Sequence, residues 1–150
     1  MNGALAAEDT LHLESLLLGA LEIRAETIIS FAAGLPGFPT MHRFALVETQ
    51  RADFVWMQSI DDASLTFLLA DPFTLVAGFD VELPAADLAA LEASGTPESL
   101  LLLAVVQLEG GHPVAANLQS PIVIDRDRRI GRQVVLADSR YGMHHPIRTD

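Results

Sequence analysis

Apolar and polar residues alternate along most of this chain with the two-residue period of a strand, and one stretch carries a clear helical period. In "LHLESLLLGALEI", Leu11, Leu13 and Ser15 alternate with His12 and Glu14 before Gly19-Ala20 interrupts. A helix can be threaded through the same letters. The alternation favours a strand, a tight turn at the glycine, and a second strand through "ETIISF". "GLPGFP" (34–39) reads as a loop fixed by glycine and proline. Short strand-like runs follow at "RFALVE" (43–48), "FVWMQSI" (54–60) and "LTFLLA" (65–70), separated by "DDAS" and "DPF". "VELPAADLAALEAS" predicts the principal helix, near residues 84–93: Pro84 stands at its start, Asp87 in its first turn, and Ser94-Gly95 at its end. "SLLLLAVVQLE" (99–109) is continuously apolar, which a strand tolerates only when both faces are covered. Gly110-Gly111 then turns the chain, and "PIVID", "RDRR" and "IGRQVVLAD" read as a hairpin. The pattern predicts a mainly β domain: a small antiparallel β-barrel-like fold with one principal short helix.

Composition narrows this picture. The 150 residues suit a single domain, 1–150, with residues 1–10 as a flexible N-terminal extension. Half the residues are apolar and 19% are charged, so the chain has the material for a core. There is no cysteine, which removes disulfides and thiolate chemistry and fits a reducing compartment. The net charge is −11, with nine arginines and no lysine. Phosphate binding is driven by cationic side chains, so direct nucleic-acid binding is not expected. The missing lysine excludes Schiff-base chemistry and a P-loop. No apolar run is long enough for a membrane-spanning helix, and "MNGALAAEDT" lacks the basic start of a signal peptide, so a cytoplasmic location is expected.

Candidate chemistry is sparse. His144 and His145 are adjacent and face opposite ways on a strand, while His12, His42 and His112 stand alone, so no metal site is expected. Asp61-Asp62 and Asp71 are better suited to bonding turn N–H groups than to acting as an acid/base pair. No G-x-S-x-G surrounds Ser59, Ser64 or Ser120. Arg126, Arg128, Arg129 and Arg132 read as a solvated hairpin tip beside Asp125 and Asp127. Trp56 and Met57 alternate, so one belongs to the core and the other points outward. In "ANLQSPIVID" (115–124), Asn117-Leu118-Gln119-Ser120 reads as a neutral turn, and Pro121 denies a ladder hydrogen bond, leaving an edge that resists strand addition. Either a partner contact or a plain barrel corner accounts for it.

Four motifs, "GLPGF" (34–38), "QSIDDASLTFLLADPF" (58–73), "ANLQSPIVID" and "RIGRQVVLAD" (129–138), stand in an order and spacing that resemble the flagellar assembly factor FliW family. The resemblance runs from about Leu11 to Ile147. It implies a non-enzymatic cytoplasmic protein, without cofactor or metal, that binds the translational repressor CsrA, relieves repression of flagellin synthesis, and binds flagellin itself. Partner contacts are then expected among Asp61, Asp62, Asp71, Phe73, Asn117, Gln119 and Ser120. The two partners are expected to exclude one another, the antagonism of RNA to be noncompetitive, and the free protein to be monomeric. The competing reading is a small β-barrel enzyme or ligand-binding domain that uses surface carboxylates and histidines.

Overall fold

The fold is described from a computed structural model, over residues 9–91, 99–136 and 140–147. The chain opens with an antiparallel hairpin of β1 (Thr10–Ser15) and β2 (Gly19–Arg24). A single 3₁₀ turn, Ala25–Thr27, leads to β3 (Ile29–Ser30). β4 (Arg43–Glu48), β5 (Phe54–Ser59) and β6 (Thr66–Ala70) follow as a meander. Two short helices come next, α1 (Pro72–Leu75) and α2 (Ala85–Ala90). Two long strands, β7 (Leu100–Glu109) and β8 (His112–Asp125), precede β9 (Ile130–Gln133) and β10 (His145–Pro146).

Strands pair in the order β8-β7-β6-β5-β4-β3-β9, and β9 pairs back with β8, which closes a seven-stranded barrel. The closing pair of β3 and β9 is parallel, with Ser30 opposite Ile130, while the other pairings are antiparallel. β10 adds to the side of β8, opposite Ala115 and Ala116.

The two-residue period decides what goes inside. Phe44, Met57, Leu69, Leu103, Ile122 and Ile124 point into the barrel, joined by Ile29, Phe31 and Leu35. Each fully buried large side chain contributes about 1.5–3 kcal/mol by leaving water. The alternate residues face outward but are not bare. Ala104, Ala116 and Leu118 are covered by Phe79, with Leu75, Tyr141 and Ile147 packed alongside. Val123, Val134 and Leu136 cluster with Leu91, and Val81 and Leu83 pack against that cluster. The β1–β2 hairpin brings Ile23 against Ala45 and Ile60, with Leu11, Leu13 and Leu21 beside them. β7 is therefore apolar from Leu100 to Val106, where both faces are covered, while its end at Gln107–Glu109 is exposed, so the strand expected to be buried throughout is buried only over its first seven residues.

Four sequence expectations change in the structure. The first turn lies at Leu16–Leu18, ahead of Gly19, because Ser15 Oγ accepts the Leu18 N–H and Gly19 leaves the turn at φ +80. The following segment is split, since Arg24 ends β2 and Ile29 begins a barrel strand. Thr10 already pairs with Arg24, so the expected N-terminal extension is shortened, and its residues 1–8 lie outside the described ones. β8 is one continuous strand with neighbours on both sides, so "ANLQSPIVID" is not a free edge. The principal helix is confirmed as α2, with Pro84 at its N-cap, and α1 is added where a turn was expected. Residues 92–93 of the expected helix lie outside the described residues.

Candidate partner-binding surface

The two aspartate-rich turns stand at opposite ends of β6. In the β5–β6 turn, Asp61 Oδ2 accepts the N–H groups of His42 (2.9 Å) and Arg43 (3.0 Å). Its Oδ1 accepts the Arg43 guanidinium at 3.1 and 3.0 Å. Burial pushes this carboxyl up, but the His42 N–H, the Arg43 side chain and the Arg43 N–H together hold it below its ordinary value. Asp62 Oδ1 accepts the Ser64 hydroxyl (2.7 Å) and N–H (2.9 Å), and these bonds lower its pKa. Beneath the turn, fully buried Gln58 donates to the carbonyls of Ser59 and Leu65 and accepts from Thr66 Oγ1. Turn chemistry occupies both carboxylates.

At the other end of β6, Asp71 Oδ1 accepts the Phe73 N–H (2.9 Å) and caps α1, with Pro72 at the first helical position. Phe73 is 56% exposed and meets Phe79 edge-on, ring centroids 5.2 Å apart. Phe79 in turn packs in the cluster that contains Leu118. The α1 turn and the Asn117–Ser120 stretch therefore flank one apolar cluster. Within that stretch, Asn117 Oδ1 accepts the N–H groups of Gln119 and Ser120, both at 3.1 Å. This bend lets Asn117 to Ile122 on β8 pass only Val105 to Leu103 on β7, a bulge inside the strand. The Gln119 carbonyl accepts from the Leu136 N–H, the Ser120 carbonyl from Gln133 Nε2, and the Pro121 carbonyl from the Val134 N–H.

The expected contact residues are thus divided: Asp71, Phe73, Asn117, Gln119 and Ser120 share one region, and Asp61 with Asp62 occupies another. Of the seven, Phe73 offers the exposed apolar surface. Asp61, Asp62, Asp71 and Asn117 all hold backbone N–H groups, so truncating them disturbs the fold as well as any contact. Met57 is the core member of its pair, and Trp56 packs partly buried on the outer face beside Phe54, Leu68 and Val106. Arg132 is drawn away from the hairpin tip to Asp87 of α2, at 2.6 Å.

The Asp61-Asp62 region has a feature that the sequence pattern did not announce. Leu16 and Leu17, at the β1–β2 turn, are 81% and 59% exposed. The Leu16 N–H donates to the Ala63 carbonyl at 3.0 Å, which fastens this apolar tip to the β5–β6 turn. The signal was three successive leucines where a hairpin turn normally has glycine, asparagine or serine. Assigning the turn to Gly19 concealed it.

Among the described residues, no three histidine, aspartate or glutamate side chains gather as metal ligands. A cleft of about 860 Å³ runs between the segment before α2 and the chain near Tyr141, where Arg140 Nη2 donates to the Asp80 carbonyl. No helix among the described residues is long and apolar enough to cross a membrane.

The family described as FliW protein matches residues 12–147 of this chain. A protein of Treponema denticola called flagellar assembly factor FliW is 33% identical over 138 residues, covering 91% of this chain and 93% of its own. The protein of the same name from Geobacillus kaustophilus is 32% identical, over 86% of this chain and 90% of its own. A crystal structure of the flagellar assembly factor FliW superposes with a TM-score of 0.84 at 28% identity, covering 93% of this chain and 98% of that one.

Proposed function

Because the chain belongs to the FliW family, we propose that it serves flagellar assembly by binding proteins. In this reading it binds the translational repressor CsrA and relieves repression of flagellin synthesis. It also binds flagellin, so that the amount of unassembled flagellin sets how much of it is free to relieve repression. The observation that carries the reading is the family match across nearly the whole chain, which spans the barrel and its outer cover. Two features of the molecule support it. The net charge of −11 suits a partner that presents cationic surface to RNA. The exposed apolar side chains Leu16, Leu17 and Phe73 stand on the outside of a closed barrel, where aromatic and aliphatic groups act as anchors for a partner.

The experiment is a binding titration of the purified protein with CsrA, repeated as salt is raised. Complementary charge predicts a complex whose association slows and whose affinity falls with salt. Kinetics that ignore salt would confine the acidic surface to a solubilising role. No complex at any salt would remove the antagonist reading altogether.

A further inference from the structure

One end of the barrel is plugged and the other is open. At the plugged end the loop before β4 lays Phe38 edge-on against Phe67, ring centroids 5.7 Å apart, and Met41 and Leu65 pack on the core beside them. At the opposite end Leu46 of β4, Val55 of β5 and Leu101 of β7 pack against the core yet stay half-buried. With Leu103 they line a cavity of about 540 Å³ that opens to solvent. The interior of a small barrel is either filled by side chains or shaped to hold one small ligand, and ligand pockets run from about 300 to 1,000 Å³.

The lip of this mouth is the β4–β5 loop, and it is tied down. Thr49 Oγ1 accepts the Arg51 N–H at 3.0 Å. Arg51 pairs with Asp53 through Nε (3.1 Å) and Nη2 (2.7 Å), and its guanidinium lies over the Phe54 ring. The Asp71 N–H donates to the Asp53 carbonyl at 2.9 Å, which fastens the lip to the end of β6. Charge at the lip does not balance. Arg51 and Asp53 cancel, while Glu48 and Asp71 make no ion pair among the described residues. Both acids follow the inward register, Glu48 two residues after Leu46 and Asp71 two residues after Leu69. Val55 pairs with Glu48 on one side and with Leu69 on the other, so the two acids flank it, about 10 Å apart at two strand spacings. An apolar cavity with two uncompensated carboxylates at its mouth fits a short apolar body with a cationic head. The cavity lies within the ring of strands, behind a fixed lip, so a flat protein surface reaches only its rim.

We infer that the barrel mouth binds a small amphipathic amine, its alkyl chain among Leu46, Val55, Leu101 and Leu103 and its ammonium group between Glu48 and Asp71. This goes beyond the function proposed above and does not depend on it.

The probes are n-hexylammonium, hexan-1-ol and hexanoate, which share one chain length and differ in the charge of the head group. Each is titrated into the full chain carrying labelled leucine and valine methyl groups, followed by NMR and by melting temperature. Hexylammonium is expected to shift the methyl signals of Leu46, Val55 and Leu101 saturably and to raise the melting temperature. Hexanoate meets two like charges and is expected to bind roughly tenfold more weakly, with hexanol between the two. Glu48 is exposed and holds no backbone group among the described residues. Glu48→Gln is therefore expected to fold normally, to lower hexylammonium affinity about threefold, and to leave hexanol unchanged. Leu101→Phe fills the mouth and is expected to abolish binding of all three; should it fail to fold, the glutamine variant carries the test. The inference is overturned if hexylammonium gives no saturable shift, or shifts only residues away from the mouth. It is equally overturned if hexanol or hexanoate binds as tightly as the amine, if Glu48→Gln binds the amine like the wild type, or if folded Leu101→Phe still binds. A mouth whose methyl groups respond to a protein partner and not to the amine also overturns it, and leaves the proposed function standing.

Discussion

Asp61 shows how a residue chosen for a possible contact can be committed to architecture. Its two oxygens hold the start of β4 through the His42 and Arg43 N–H groups and the Arg43 guanidinium. The pKa is lowered from 3.8, so folding favours the ionised form. That stabilisation is complete above the unfolded value and fades as pH falls through the lower folded value. Asp61→Asn keeps one acceptor oxygen and removes the titration. The variant is expected to be less stable by about 1 kcal/mol near neutrality. Its melting temperature should converge on that of the wild type as the medium is acidified from roughly pH 4 towards pH 2. Parallel curves across that range would show that this clamp adds no pH-dependent stability. The sequence carried half of this: an Asp-Asp-Ala-Ser turn was legible from residue type. The partners of Asp61 were not, because His42, just before β4, and Arg43, its first residue, lie 19 and 18 residues earlier.

At the scale of elements, close approach explains the glycine in "RIGRQVVLAD". A Cβ built on Gly131 of β9 would stand 2.5 Å from Cζ of Phe31. Phe31 is fully buried and meets Phe44 edge-on at 5.1 Å, so its ring has no free side to move into. Gly131→Ala is expected to cost about 1–3 kcal/mol by overpacking, seen as a lowered denaturation midpoint with an unchanged slope. Combining it with Phe31→Leu should cost less than the sum of the two single changes, because the smaller side chain vacates the clash. An alanine variant as stable as the wild type would mean that the β3–β9 closure relaxes freely. β4 was legible to the residue, and β5 and β6 to within one residue at an end, because local alternation fixes them. β8 was not. The Asn117 side chain bends the strand with the same bonds that make an isolated turn, and only the neighbours β7, β9 and β10 reveal that the ladder continues.

For the whole molecule, the barrel closes through a parallel contact between the short β3 and the distant β9, a pairing that no local pattern announces. Closure also fixes how far apart partners can sit. The Leu16–Leu17 tip and the Asp61-Asp62 turn lie at one end of β6, and Asp71 with Phe73 at the other. A strand of five residues spans only about 17 Å at roughly 3.3 Å per residue. A standard interface takes ~800 Å² from each partner, a patch about 32 Å across if round. Two such patches centred at the ends of β6 must overlap at their rims even though their anchoring side chains differ. Were the repressor centred at one end and flagellin at the other, the two would exclude each other, with the affinity of each set by its own centre. Under the proposed function, sharing the chain in this way would turn unassembled flagellin into a signal, because each bound flagellin would remove one molecule able to restrain the repressor. RNA is a separate matter. Antagonism that is noncompetitive, a coupling between two sites on the repressor, persists at saturating RNA. A titration that combines labelled flagellin, this protein, repressor and its RNA reads both properties. Displacement of repressor by flagellin without a three-protein complex is the expected course, and a stable complex of all three would show that the footprints do not meet. Antagonism that vanishes as RNA is raised would instead place this acidic barrel in direct competition with the phosphates.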